Sequence, residues 1–423
     1  MSRKVVYSGW INLGLAAAAM VATLPGRTQG LGLVTEPLIR DLGIDRVTYA
    51  EVNLWATLVG AAFCIPCGRL LDRFGSRIVL TIVLLALGVT VVAMSAATGL
   101  VALAVAVTLT RGFGQSALSV ASLALVGKWF ARRLDVAMGV FAVLVGIGFI
   151  AAFPTVGQAA LAFGWRSAWL GVGVVQLVLL VPLVWLFVRD DPETAGLVVD
   201  GGDATAESVE GPIDLTVWEA VQTPAFWMFA LSSSTFGLVY SGISLFNQSI
   251  FEERGFDATT FHKVLVISTL VGLVANFAGG LLAARWPIQR VMGLGMAVLA
   301  CALVGLPAVR TTLHVVLYGV AMGVAGGVVT VVFFSVWGRV FGRGQLGRIQ
   351  GCAQMMTVFA SALGPLLLAE TLARTGSYAG IFYGLAVVVV GLGLGCWWVP
   401  LPSRAPSRAA PGAPLSLPRT GAT

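Results

Sequence analysis

Apolar runs of about 20 residues or more, broken by short clusters of charge, glycine and proline, recur along the whole chain. They fall at 10–38, 47–68, 78–97, 100–126, 136–161 and 166–188, then at 223–251, 259–283, 291–309, 312–337, 349–373 and 377–400. Runs of this length match a hydrocarbon layer about 30 Å thick, crossed at about 1.5 Å per helical residue. Inside lipid a single segment satisfies its own backbone only as a helix. The pattern predicts an all-α integral membrane protein with about 12 transmembrane helices in two six-helix bundles.

Four segments follow from the breaks: an N-terminal bundle over 1–188, a linker over 189–222, a C-terminal bundle over 223–400 and a tail over 401–423. The linker holds nine of the 19 acidic residues and is expected to be cytoplasmic. Its end, DLTVWEAV, has the pattern of a short amphipathic helix lying at the interface. The tail is rich in Pro, Ser, Ala and Arg, a composition that predicts disorder.

Composition sharpens this picture. The chain is 58% hydrophobic and only 11% charged, and its mean hydropathy is +0.92. So few charges cannot cover a water-soluble domain of this size. The net charge of +7 is therefore read by location. With both termini inside, 17 basic residues fall on the cytoplasmic side, among them Arg69, Arg73, Arg77, Lys128, Arg132, Arg133, Arg339, Arg343 and Arg348; seven fall outside. That asymmetry orients the chain with both termini cytoplasmic, in the cell membrane of a bacterium. Two basic residues remain, Arg27 and Arg111, and both lie inside helices. The five cysteines all sit in apolar segments. Cys64-Ile-Pro-Cys67 has redox or metal-site spacing, but within a membrane helix and without a second pair it reads as packing.

The two halves repeat. A shift of 212 positions lays 43–75 on 255–287 without gaps, with eleven identities in 33, including the aligned TLVG and G-x-L-x-x-R. Two halves of the same orientation imply parallel repeats about an axis along the membrane normal.

After the second run the chain reads Gly68-Arg-Leu70-Leu-Asp72-Arg73-Phe-Gly75-Ser-Arg77, and the second copy erodes to Gly280-Leu-Leu282-Ala-Ala284-Arg285-Trp-Pro287. The first copy resembles the signature loop of the major facilitator superfamily at every defined position, and Arg111-Gly-Phe-Gly114-Gln115 resembles that family's stretch in its fourth helix. Lys128-Trp-Phe130-Ala-Arg132-Arg133, Gly164-Trp-Arg166, Asp191-Pro192-Glu193 and Glu219-Ala-Val-Gln-Thr-Pro224 resemble the oxalate/formate exchanger and monocarboxylate carrier branch. Members of that branch hold a carboxylate with basic residues in helix 8 or 11. This chain departs there, offering Asn276 and Gln354. The resemblance implies a secondary active transporter working by alternating access on a small organic anion, a monocarboxylate or dicarboxylate. An efflux carrier for an apolar or cationic compound and a transporter-like sensor or scaffold stay open as alternatives.

In such a fold the solute site lies near the midplane between the halves. The 212 shift maps Pro224 onto Asn12, which starts helix 1 near residue 12 and sets Pro25-Gly-Arg27-Thr-Gln29-Gly30 at its centre. A guanidinium at that depth costs about 2.5–3.5 kcal/mol on insertion and marks a functional site. Arg27 meets an anion in a cavity, snorkels outward, or clamps the carbonyls freed beside Pro25. The expected solute-binding set is Arg27, Gln29, Arg111, Gln115, Tyr240, Asn276 and Gln354. The expected gating set is Gly68, Asp72, Arg73, Gly75 and Arg77, with Asp72 pairing with an Arg or a helix N-terminus of the opposite bundle. No catalytic constellation, metal cluster or cofactor motif is present, so no enzyme activity and no cofactor are expected. The expected partners are a small-molecule solute, a coupling proton or counter-substrate and the lipid bilayer, with no nucleic acid and a monomeric state.

Overall fold

A computed structural model describes residues 7–201, 214–256 and 258–402. The tail beyond residue 402 and the middle of the linker, 202–213, both assigned above from composition, lie outside the described residues. All regular structure in the described residues is helical, and eleven helices are long and apolar enough to cross a membrane.

In the first half these are α2 (Val47–Phe74), α3 (Ser76–Ser95), α4 (Leu100–Trp129), α5 (Leu134–Phe163) and α6 (Trp165–Phe187). They follow α1 (Ser8–Val21), which is apolar but short. In the second half come α7 (Pro224–Glu252), α8 (Ala258–Arg285), α9 (Ile288–Gly305), α10 (Thr312–Phe341), α11 (Leu346–Thr375) and α12 (Ala379–Trp398). Helix starts follow local chemistry. Asp45 Oδ1 accepts from the amides of Val47 and Thr48, each at 2.9 Å, and Thr223 caps α7 just before Pro224. Gly75 (φ 83°) and Gly164 (φ 81°) each join two helices through a single residue, a left-handed turn that a side chain would strain.

The pairings repeat between halves. α1 packs on α5, α2 on α4 and α3 on α6, while α7 packs on α11, α8 on α10 and α9 on α12. This is the order expected of a duplicated six-helix unit. The halves meet through α2 against α11, α5 against α8 and α10, and α4 against α11. Small residues permit the approach. A Cβ at Gly68 would collide with the carbonyl of Gly347, and one on Gly351 would lie 2.7 Å from the Cys64 carbonyl. Cys64 and Cys67 are buried free thiols within this packing.

Helix 1 departs from expectation. In place of one helix over 10–38 beginning near residue 12, α1 starts at Ser8 and ends at Val21. A 3₁₀ turn (Leu24–Gly26), an extended Arg27 and short helices Thr28–Gly32 and Thr35–Leu42 follow. Pro25 cannot donate to the preceding turn. Gly26 and Gly30 let the chain fold back so closely that a Cβ on Gly30 would collide with the Leu24 carbonyl.

At the linker's far end, helix Val217–Gln222 forms with a capping box between Thr216 and Glu219. The Thr216 amide and hydroxyl both donate to Glu219, which holds its carboxyl below the usual range.

Candidate functional site

The break in helix 1 releases backbone groups, and side chains from other helices take them up. Gln176 of α6 donates to the Ala22 carbonyl at 2.8 Å. Arg111 of α4 donates to the Gly26 carbonyl at 3.0 Å. Arg111 also reaches Thr28 Oγ1 (3.1 Å) and Gln115 Oε1 (2.7 Å), and its Nε and Nη2 converge on Asn53 Oδ1 of α2 at 3.2 and 2.6 Å. With 1% of its surface exposed, this guanidinium staples the break in helix 1 to α2 and α4. It begins a π-helical stretch, Arg111–Leu118, a local widening of the helix that often marks functional segments. Gly26 sits so close to α4 that a Cβ there would collide with the Thr110 carbonyl.

Held this way, the break presents Arg27. Its Nε donates to Thr23 Oγ1 at 2.6 Å and its Nη2 to Met20 Sδ at 3.2 Å. The guanidinium lies over the Phe149 ring of α5, 5.1 Å from its centre, and Phe149 stacks on Phe153. No carboxylate is among its partners in the described residues. Arg27 lies deep in the molecule yet keeps accessible surface. Thr28 and Gln29 beside it are exposed. Arg27 therefore borders interior space.

The repeat sets Tyr240 of α7 at the position of Thr28. Tyr240 is likewise deep and 37% exposed, and it stacks on Phe236 with ring centres 5.7 Å apart. Gln115 and Gln354 are half-buried. Asn276 sits at the α5–α8 crossing, its carbonyl 3.3 Å from where a Gly139 Cβ would be, and its Oδ1 is buried without a hydrogen-bond partner. The expected solute set thus divides. Arg27, Gln29, Arg111 and Gln115 gather at the break, with Arg111 facing protein acceptors. Tyr240, Asn276 and Gln354 belong to the second half. A cavity of about 1070 Å³ between α1, α5 and α6 is apolar and includes none of these residues.

Hydrogen bonds and ion pairs of Asp72, Asp135, Lys128, Arg339, Arg343 and Arg348 that join the halves lie at one face. Asp72, at the end of α2, accepts from the amides of Gly347 (3.0 Å) and Arg348 (3.1 Å) in the first turn of α11. Arg348 Nε stands 3.6 Å from its Oδ2. Other contacts at this face, two of them between the halves, had no signal in the spacing of the sequence. Arg339 of α10 pairs with Asp135 of α5 and bonds the Ala283 carbonyl. Arg343 bonds the Lys128 carbonyl and pairs with Glu193 of the linker at 3.0 Å. The linker ends also hold loops on this face. Asp190 accepts from the Arg77 amide, Asp200 from those of Ala131 to Arg133, and Asp214 from those of Arg343 and Gly344.

Of the expected gating set, Gly68 and Asp72 reach the second half. Arg73 stacks on its neighbour Phe74. Gly75 abuts Asp190, and Arg77 stacks on Trp185 while its Nε donates to the Trp185 carbonyl. Arg77 thus ties α3 to α6 inside the first half.

The sequence profile of the Major Facilitator Superfamily matches residues 13–312 and, in a second match, 229–421. The chain is similar to a hexuronate transporter of Bacillus subtilis (strain 168), 24% identical over 333 residues that cover 75% of this chain and 78% of the relative. It is also similar to monocarboxylate transporter 13 of Bos taurus, 26% identical over 339 residues, 78% and 75% of the two chains. Two crystal structures share the fold. The human organic anion transporter MFSD10 aligns with a TM-score of 0.64 at 17% identity, over 91% of this chain and 98% of that one. FucP in its outward conformation aligns with a TM-score of 0.67 at 12% identity, over 94% and 100%.

Proposed function

The chain belongs to the Major Facilitator Superfamily and carries a small-molecule solute across a membrane, and from that premise we propose that the solute is a small organic anion held in part by Arg27. One observation carries the reading. Arg27 is a partly exposed guanidinium at a broken helix, bonded to a hydroxyl, a thioether and a ring face. A cation kept at this depth without a counter-charge is expensive, and an incoming anion supplies what the protein leaves out. The names of the relatives, which speak of hexuronate, monocarboxylate and organic anion, point the same way.

The bundles 1–188 and 223–400 are the moving bodies, joined by the linker 189–222. The Asp72 face is the cytoplasmic one, closed in this state, with both termini on that side in the cell membrane. Gln29, Gln115, Tyr240, Asn276 and Gln354 complete the walls of the site, while Arg111 acts as a positioning residue that fixes the break. Transport is driven by a proton or a counter-substrate, and the unit is a monomer.

Arg27→Gln keeps length and hydrogen bonding but removes the charge. In proteoliposomes it should abolish uptake of radiolabelled carboxylates while leaving yield and Tm nearly unchanged. A variant that transports carboxylates normally would exclude the anion role of Arg27.

A further inference from the structure

We infer that the carried anion is a monocarboxylate with an aromatic body, seated with its carboxylate on Arg27 and its ring against the Phe236–Tyr240 pair. The inference rests on the anion reading above and narrows it on two independent grounds.

The first ground is a count of charge and donors. A guanidinium has five N–H groups. On Arg27 one faces Thr23 and one faces Met20, which leaves three. A single carboxylate taken bidentately uses two of them. The other guanidinium at this depth, Arg111, already faces Asn53, Gly26, Thr28 and Gln115. A dicarboxylate would therefore bring a second charge with no cation waiting among the described residues. A desolvated, unpaired charge is among the costliest groups an interior can hold.

The second ground is the aromatic lining. The Arg27 guanidinium is stacked on Phe149, itself stacked on Phe153 with ring centres 5.1 Å apart and planes 12° from parallel. In the second half Phe236 and Tyr240 form another stacked pair, 5.7 Å apart and 23° from parallel. Tyr240 occupies the repeat position of Thr28, one residue from that of Arg27, and both Tyr240 and Thr28 keep accessible surface. The Phe236 ring lies against Gly326 of α10, with its Cζ 3.4 Å from a Cβ built there, so the pair stands on the α10 side of α7. The helix pairings of the first half recur in the second, and with the halves related about a central axis we place these two walls on opposite sides of one site. A solute with a ring then meets an aromatic surface opposite its carboxylate, where offset stacking adds to simple burial.

Calorimetric titration of the purified full-length protein in nanodiscs tests this with benzoate, lactate and phthalate. Benzoate should bind roughly 10-fold more tightly than lactate, the scale of one aromatic pair, and phthalate about 100-fold more weakly than benzoate, the lower end for an unpaired charge. Tyr240→Ala should bring the benzoate-to-lactate ratio below about threefold, and Tyr240→Phe should restore the ratio, since the ring supplies the stacking. Arg27→Gln should weaken both monocarboxylates by at least about 10-fold, the loss of a charge-assisted contact. Lactate or phthalate binding as tightly as benzoate would overturn the proposal while leaving the anion reading in place. An unchanged ratio in Tyr240→Ala, or unchanged benzoate binding in Arg27→Gln, would overturn the seat. Failure of all three carboxylates to bind would overturn the anion reading and this proposal together.

Discussion

Asp72→Asn tests the closing role proposed above for the Asp72 face, because it changes a charge without changing volume. In the closed state the Asp72 carboxylate receives two backbone N–H groups at the start of α11, at 3.0 and 3.1 Å, with Arg348 nearby. Its side chain is only 5% exposed, so solvent does little to weaken the interaction. An asparagine keeps one of these bonds through its amide oxygen and turns an NH₂ toward the other donor. The loss combines one charge-assisted hydrogen bond and the attraction of a carboxylate to a helix N-terminus, together about 2–3 kcal/mol. When the halves separate at this face, Gly347 and Arg348 leave Asp72, so the loss falls on the closed state alone. The ratio of open to closed molecules should then rise roughly 30- to 150-fold. Cys64, whose backbone carbonyl lies against Gly351 at this crossing, is a native reporter, since it is a fully buried free thiol. Maleimide labelling of Cys64, followed by peptide mass spectrometry, should accelerate by that factor in Asp72→Asn. Cys396, buried beside Ser232 within the second half, should label at an unchanged rate. Cys64 labelling within about threefold of wild type would mean that Asp72 adds little to closure, far below its expected share. Equal acceleration at Cys396 would mean a general loosening in place of gate opening.

Arg111→Lys should lower stability by about 2–4 kcal/mol, because an ammonium cannot reproduce the fork that joins Asn53, Gly26, Thr28 and Gln115; an unchanged Tm would exclude the staple. Gly26→Val should block accumulation of folded protein through its collision with the Thr110 carbonyl, whereas Gly32→Ala, where a Cβ meets nothing within 4 Å, should be neutral in the same expression and size-exclusion assay. Glu219 has its folded pKa lowered by the Thr216 hydrogen bonds, so its contribution to the helix Val217–Gln222 is complete above the ordinary carboxylate range and fades as pH falls through the folded pKa. Hydrogen exchange at Thr216, corrected for intrinsic rate, should therefore quicken in acid, and Glu219→Gln should remove that dependence; a variant that keeps it would assign the effect elsewhere.

The apolar runs were enough to call eleven of the membrane-crossing helices, since the bilayer imposes length and backbone self-satisfaction on each run separately. The 212-residue repeat likewise foretold the matching of α1–α5 with α7–α11. Pro25, Gly26, Arg27 and Gly30 are adjacent in the chain, and that adjacency made the weak point of helix 1 visible. Its extent was not, because a helix breaks outright only where something else receives its freed carbonyls. Here that something is Gln176 and Arg111, 154 and 85 positions from the carbonyls they bind. Arg111 and Arg27 look alike in the sequence, two guanidiniums inside apolar helices, and packing alone separates them. Asn53 stands 58 positions from Arg111 and turns it into a staple, while Arg27 meets a hydroxyl, a thioether and a ring. The Asp135–Arg339 pair spans 204 positions, and neither residue sits in a motif that announces the other. Local order and membrane crossing follow from the short-range pattern of apolar residues. Which guanidinium finds a full set of acceptors and which keeps donors to spare depends on helices far apart in the chain, because an electrostatic interaction is set by distance in space.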